Sequence, residues 1–211
     1  MATRDAIAAT SNAILGLLKS AKARPQPELL DADYKLFHAR DFETVADGFR
    51  GVSLYLYRVA INGTVRNVPR RRIATDGHAF TELAPLPLDL SYLLTAWDKD
   101  VDLQQRLLGW CMRALHDTPI VPATFINNYT HDTAALPFRP GETIELVCES
   151  LSFQDMTTLW DKLKPKMQTS ITYVARMVMI ESDMEMAEAG PVQTRAFDAA
   201  KVVDAAKVVA P

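Results

Sequence analysis

The spacing of apolar positions changes period several times along this chain, and each change predicts an element. Val52–Ile61 places Tyr55, Tyr57, Val59 and Ile61 on one side and Leu54, Leu56 and Ala60 on the other. Two apolar faces at period two predict a central strand covered on both sides. Leu88–Trp97, inside the run Leu86-Pro-Leu-Asp-Leu-Ser-Tyr-Leu-Leu-Thr-Ala-Trp97, predicts a second strand. Ser170–Ile180 predicts a third, with Arg176 interrupting one face. Thr143–Glu149 alternates more simply: Ile144, Leu146 and Cys148 point one way, Glu145 and Glu149 the other, as in a half-buried strand. Three segments follow the helical period instead. Residues 4–20 carry a stripe of Ile7, Ile14, Leu15 and Leu18, with Thr3 as N-cap. Val101–His116 carries Leu108, Cys111, Met112 and Leu115, and Asp98 and Asp100 suit its electropositive start. Ser152 and Asp155 make a near capping box for a helix ending at Leu163, with Met156, Leu159, Trp160 and Leu163 on one stripe. Pro165 stops it.

The segments between these are punctuated differently. Ala23–Asp33 holds Pro25 and Pro27 and reads as an extended connector. Asn62-Gly63 marks a tight turn, with Thr64–Asn67 as a short return strand. Residues 67–86 read as irregular, with a basic triplet at Arg70–Arg72. Residues 118–142 read as a second long polar loop, containing Pro119, Pro122, Asn127, Asn128, Thr130 and His131. Connections of this length usually carry function. Past Glu181 the chain turns acidic and ends in Asp-Ala-Ala-Lys-Val-Val repeated twice over 198–209. Two hexads are too few for a solenoid. The expected organisation is one domain over 1–182 and a flexible C-terminal arm over 183–211, ordered by a partner. The expected class is α/β (α+β), one mixed sheet of about four main strands packed with about three helices. Strand–helix–strand succession permits some parallel pairing.

Composition narrows the function classes. A chain of 211 residues with 48% hydrophobic and 23% charged content is ordinary for a globular protein with a sizeable core. No apolar run reaches membrane-spanning length, and no charged and apolar leader opens the chain, so neither membrane nor secretory signal is expected. Net charge is −3 and no aromatic residues interleave the Arg66, Arg70, Arg71, Arg72 cluster, which argues against nucleic acid. That cluster reads either as a solvated loop or as a dock for an acidic partner surface. Cys111 and Cys148 both lie on apolar faces and are expected as buried, reduced thiols. His38, His78, His116 and His131 show no metal-ligand spacing, and His116 suits a helix C-terminus. There is no Gly-x-Ser-x-Gly elbow and no glycine-rich phosphate loop. No catalytic residue, cofactor or metal is assigned. Asp89, alone inside an apolar strand, reads as a structural carboxylate that caps backbone or pairs with an arginine, against a functional acid or an intersubunit contact. Tyr55, Tyr57, Tyr92, Trp97 and Trp160 sit at core spacings.

Several segments together resemble one family. They are Leu54-Tyr-Leu-Tyr-Arg-Val with Asn62 and Arg66-Asn67; Leu86–Trp97; Leu107-Leu-Gly with Met112-Arg-Ala-Leu-His-Asp117; Leu159-Trp160; and Ser170-Ile-Thr-Tyr-Val-Ala-Arg176. In this order, over roughly residues 4–182, the chain is similar to the cap, or tail-terminator, proteins of extracellular contractile injection systems, phage-tail-like particles with a tube inside a contractile sheath. Val192-Gln-Thr-Arg195 is a weaker match, and the tandem hexad falls outside it. The resemblance implies a tail-terminator-like fold and a structural protein rather than an enzyme. It implies a hexameric ring seated on the last tube and sheath rings, ending their polymerisation. It also implies cytoplasmic assembly followed by release in an extracellular particle. The candidate partner contacts are Arg66, Arg70, Arg71, Arg72, Asn127, Asn128, His131 and Arg195, with 183–211 as the arm that meets the sheath. Two alternatives stand beside this reading: a baseplate or tube-adaptor subunit of the same particle, and a small-ligand-binding or enzymatic α/β domain with His131 and Asp89 near a pocket.

Overall fold

Two long strands, β2 (Gly51–Ile61) and β5 (Leu86–Trp97), run antiparallel from Gly51↔Trp97 to Ile61↔Leu88 and form the spine of the molecule. The computed structural model describes residues 5–21, 31–45, 49–64, 70–73, 79–82, 84–130, 136–163 and 167–182. Element order is α1 (Ala6–Ala21), β1 (Asp33–Leu36), a 3-10 turn at Ala39–Phe42, β2, β3 (Arg70–Ile73), β4 (Ala79–Glu82), β5, α2 (Val101–His116), β6 (Ile120–Pro122), α3 (Ala123–Ile126), a 3-10 turn at Asn127–Tyr129, β7 (Thr143–Cys148), α4 (Phe153–Leu163) and β8 (Ser170–Ile180).

Six strands form one sheet in the order β1-β2-β5-β8-β7-β6, and β3-β4 form a separate two-stranded sheet. β1 pairs parallel with β2; every other pairing is antiparallel, so the sheet is mixed as expected. The four strands read from the pattern are β2, β5, β7 and β8, and the three main helices are α1, α2 and α4. The additional strands are short. β1 buries only Tyr34 and shows no alternation to detect. β6 has three residues and ends on Pro122, whose missing N–H is tolerated at a sheet edge. At the start of β2, a Cβ on Gly51 would come within 2.0 Å of the Asp33 carbonyl oxygen, so only glycine lets β1 lie alongside.

The sheet is covered on both faces. One face packs α1, α2 and α3 against Val52, Leu54, Leu90, Tyr92, Leu94, Ile144, Ala175 and Val178. The Tyr92 hydroxyl hydrogen-bonds the Ser11 hydroxyl at 2.9 Å, so a polar pair in this core is satisfied. The other face is smaller and aromatic: Phe42, Leu93, Trp97, Trp160 and Leu163 form its centre, flanked by Phe37, Phe49, Tyr55 and Tyr57. Phe42 meets Trp160 edge-to-face at 5.6 Å and Tyr55 at 5.4 Å. The Trp97 indole N–H donates to the Ser53 hydroxyl at 2.8 Å.

Helix starts follow the expected chemistry. The Asp100 carboxylate accepts the Asp102 N–H at 2.9 Å. The Ser152 hydroxyl accepts the Asp155 N–H at 3.1 Å and donates to the Asp155 carboxylate at 2.6 Å. Thr3 lies outside the described residues.

Four expectations are corrected. Arg70–Arg72 belong to β3 rather than an irregular loop, because a partner strand supplies the ladder that their own pattern does not advertise. Thr64 closes the turn after Asn62 rather than opening a return strand, and 65–69 lie outside the described residues. The C-terminal half of β2 is not covered on both sides: β1 ends opposite Leu54, and Val59 and Ile61 are 47% and 54% exposed. Cys148 is exposed, since β7 runs to the rim of the sheet there, whereas Cys111 is buried and its thiol is pushed up by desolvation.

Candidate partner-binding surfaces

The loop after β6 is built around Asn127. Its side-chain amide donates to the Phe138 carbonyl at 2.9 Å and its oxygen accepts the Phe138 N–H at 3.1 Å. This double bond to the backbone pins the two halves of the 118–142 segment together and buries Phe138 against the helical core. Tyr129 closes over Gly16 of α1, where any Cβ would strike its ring. Asn127 is thus committed to shaping the loop, while Asn128 beside it is exposed. Together with Thr124, Thr130, Leu136 and Pro140 they line an open hollow of about 500 Å³. The hollow is shallow and mostly apolar at its walls, a shape suited to a protruding side chain of a partner.

Arg70, Arg71 and Arg72 fall on one strand in register with Glu82, Thr81 and Phe80 of β4. All three arginines thus lie on one strand of a two-stranded sheet whose other strand, Ala79–Glu82, carries one acidic residue. Arg66, His131 and Arg195 lie outside the described residues.

Asp89 occupies a different kind of position. Its register partner in β8 is displaced: Leu88 pairs with Val178 but Leu90 with Ala175, so Arg176 and Met177 form a bulge opposite Asp89. Met177 has φ of 66°, rare for a residue with a side chain. The Asp89 carboxylate accepts the Met177 N–H at 3.4 Å and the Asn62 amide at 3.3 Å, and Asn62 in turn accepts the Thr64 N–H at 3.0 Å. The carboxylate therefore caps backbone, one of the two structural roles open to it. The sequence hints at this only through Asp89 itself, because a bulge leaves no periodic mark.

A second hollow, of about 370 Å³, lies between the C-terminal turn of α2 and the rim of β7, lined by Met112, Leu115, Pro119, Leu146, Cys148 and Tyr173, with Arg113 and His116 at its lip. Burial pushes the Cys148 thiol up from its ordinary value. Exposed apolar side chains surround the molecule elsewhere: Phe153 at the first turn of α4 is 80% exposed. Phe153 falls on the Met156–Trp160 stripe by spacing, but the stripe extends one turn past the aromatic core it covers. Among the described residues no helix is long and apolar enough to cross a membrane, and no cluster of three or more His, Cys, Asp or Glu has the geometry of a metal site.

The family described as the Pvc16 N-terminal domain matches residues 12–194, and the chain belongs to it. In fold it is similar to the sheath/tube terminator of the PVC extracellular contractile injection system in its extended state, with a TM-score of 0.58 at 16% identity, over 99% of this chain and 71% of that one. It is similar also to the tube-terminating cap of the anti-feeding prophage, with a TM-score of 0.55 at 15% identity, over 89% of this chain and 59% of that one. The chain thus spans somewhat more than half the length of that cap. No curated relative matches the sequence. The resemblance drawn from the sequence is borne out at the level of family and fold.

Proposed function

We propose that this protein is the structural cap of a contractile, phage-tail-like injection particle, and that it ends the growth of tube and sheath. The observation that carries this reading is the match of almost the whole chain to a sheath/tube terminator, together with family membership over residues 12–194. In this reading the chain does its work by binding, not by chemistry. Copies close into a hexameric ring through a heterologous interface, in which one surface of each subunit meets a different surface of the next. The basic strand β3 and the hollow beside Asn128 are the surfaces we assign to tube and sheath, and we count Arg66 and His131 among the contacts. The segment 183–211, with Arg195, is the arm that reaches the sheath. Assembly takes place in the cytoplasm and the cap leaves with the particle.

The test is location. Particles purified from cells expressing an epitope-tagged full chain are imaged with a gold-labelled antibody. Gold at the end opposite the baseplate supports the cap. Gold at the baseplate assigns the protein to the other end of the particle, and unlabelled particles remove it from the assembly.

A further inference from the structure

Among the described residues the six-stranded sheet is open on both sides, and its two open stretches differ. On one side, β1 covers only Gly51–Leu54, so among the described residues Tyr55–Ile61 of β2 has no strand on its outer side. On the other, β6 covers Thr143–Glu145 and the Pro119 carbonyl accepts the Leu146 N–H at 2.7 Å, so among the described residues β7 is uncovered only at Val147–Cys148. An uncovered strand edge is a template for pairing with another chain.

The side chains at these two stretches complement each other face by face. On β2, Val59 and Ile61 stand opposite Leu90 and Leu88, so they project from the helical face of the sheet. Arg58 stands opposite Ser91, and so projects from the aromatic face. On β7, Leu146 and Cys148 stand opposite Ala175 and Tyr173, again on the helical face, where they wall the hollow beside α2. Glu145, Val147 and Glu149 take the alternate positions on the aromatic face, and both glutamates are exposed. If one sheet runs on from another with its faces in the same sense, Val59 and Ile61 arrive at an apolar hollow and Arg58 arrives beside the Glu149 carboxylate. Reversing the sense puts aliphatic side chains on that glutamate and the guanidinium on the hollow.

We infer that the outer edge of β2, Tyr55–Ile61, docks on the β7 rim and its adjacent hollow in a second copy of this chain. The two surfaces lie on opposite sides of one sheet, so the contact is heterologous and repeats head to tail, which is what a closed ring requires. The apolar pair supplies the buried centre of the contact and the charges set its register. This inference rests on the ring reading above and adds which surfaces form it.

Cys148 gives the test a built-in reporter, because Cys111 is buried. Val59→Cys and, separately, Ile61→Cys are placed in the full chain, which is co-expressed with tube and sheath proteins and treated with a bis-maleimide spanning about 8 Å, the reach of diagonal cross-strand neighbours. The expected result is a ladder of covalent multimers with either variant, abolished by adding Cys148→Ser. Arg58→Glu should reduce ring formation at least tenfold, and adding Glu149→Arg should restore it. Rings seen by electron microscopy without any cross-link through Cys148 overturn this interface and leave the ring intact as a reading. A wild-type chain that stays monomeric in the presence of tube and sheath overturns both.

Discussion

The two faces of the central sheet solve the same burial problem with different materials. The helical face packs mostly aliphatic side chains from α1, α2 and α3, spread over the whole sheet. The opposite face concentrates its burial into a few rings brought by β2, β5, the Ala39–Phe42 turn and α4, with Phe37 and Phe49 beside them. The difference teaches where rigidity comes from. Many aliphatic contacts each contribute modestly and share any loss, whereas Phe42, Trp97 and Trp160 interlock as neighbours, so removing one withdraws contacts from all. The polar accounting differs too. Tyr92 and Trp97 have hydrogen-bond partners, but the buried Trp160 indole nitrogen has none among the described residues.

The largest expected effect is Trp160→Ala, which should cost about 3–5 kcal/mol, against about 2–5 kcal/mol for Leu90→Ala on the helical face. Urea unfolding of both variants breaks the comparison if Trp160→Ala costs less than about 1 kcal/mol, since the aromatic face then contributes shape but little stability. Tyr92→Phe should cost about 1 kcal/mol, because it deletes the bond to Ser11 while Ser11 keeps its bond to the Ile7 carbonyl. The same variant sharpens the pH behaviour. Burial holds the Tyr92 hydroxyl protonated beyond its ordinary value of 10.0, so the unfolded chain loses this proton first. Stability is complete below that value and falls as pH rises above it. Tyr34, Tyr173 and Cys111 shift the same way, so Tyr92→Phe should make the alkaline fall in Tm shallower without removing it.

The bulge offers a smaller effect of unusual sign. Met177→Gly relieves a left-handed conformation worth about 1–2 kcal/mol, offsetting the lost side-chain contact. Its net change should stay within about 1 kcal/mol by thermal melting. A larger loss means that the Met177 side chain, rather than the Asp89 hydrogen bonds, holds the bulge. Arg58→Glu should leave stability within about 0.5 kcal/mol of wild type, as expected of an exposed side chain, while changing self-association. A marked drop in Tm places Arg58 in the fold rather than in the contact between copies.

The same contrast explains what the sequence made legible. The helical face was readable because α1 and α2 repeat their apolar residues over four turns, and because β5 and β8 are long enough for alternation to show. The aromatic face was only half readable. Trp160 and Leu163 lie on a clear stripe, but Phe37, Phe42 and Phe49 sit in a segment without periodicity, gathered by a four-residue strand and a 3-10 turn whose pairing partners are distant in sequence. The surface was the least legible. Asn127 and Asn128 look alike as neighbours, yet one is spent on the Phe138 backbone and the other faces outward. Asp89 announced that it needed partners without revealing that they were Asn62 and the Met177 N–H. The uncovered edge of β2 follows from β1 stopping at Leu36, a fact about pairing that no single strand carries in its own residues.

The proposed arm gives a further test. Deleting 183–211 should leave the melting temperature of the domain unchanged and lower the fraction of particles with a sheath closed at the capped end. Normal sheath closure in the truncated chain removes the arm from sheath binding.

The most direct measurement of the central claim is the length distribution of tubes and sheaths assembled with and without this protein, by negative-stain electron microscopy. A terminator gives a narrow distribution with one closed end when the full chain is present, and broad, overgrown or unstable tubes and sheaths when it is absent. Equal distributions in the two cases would contradict the claim.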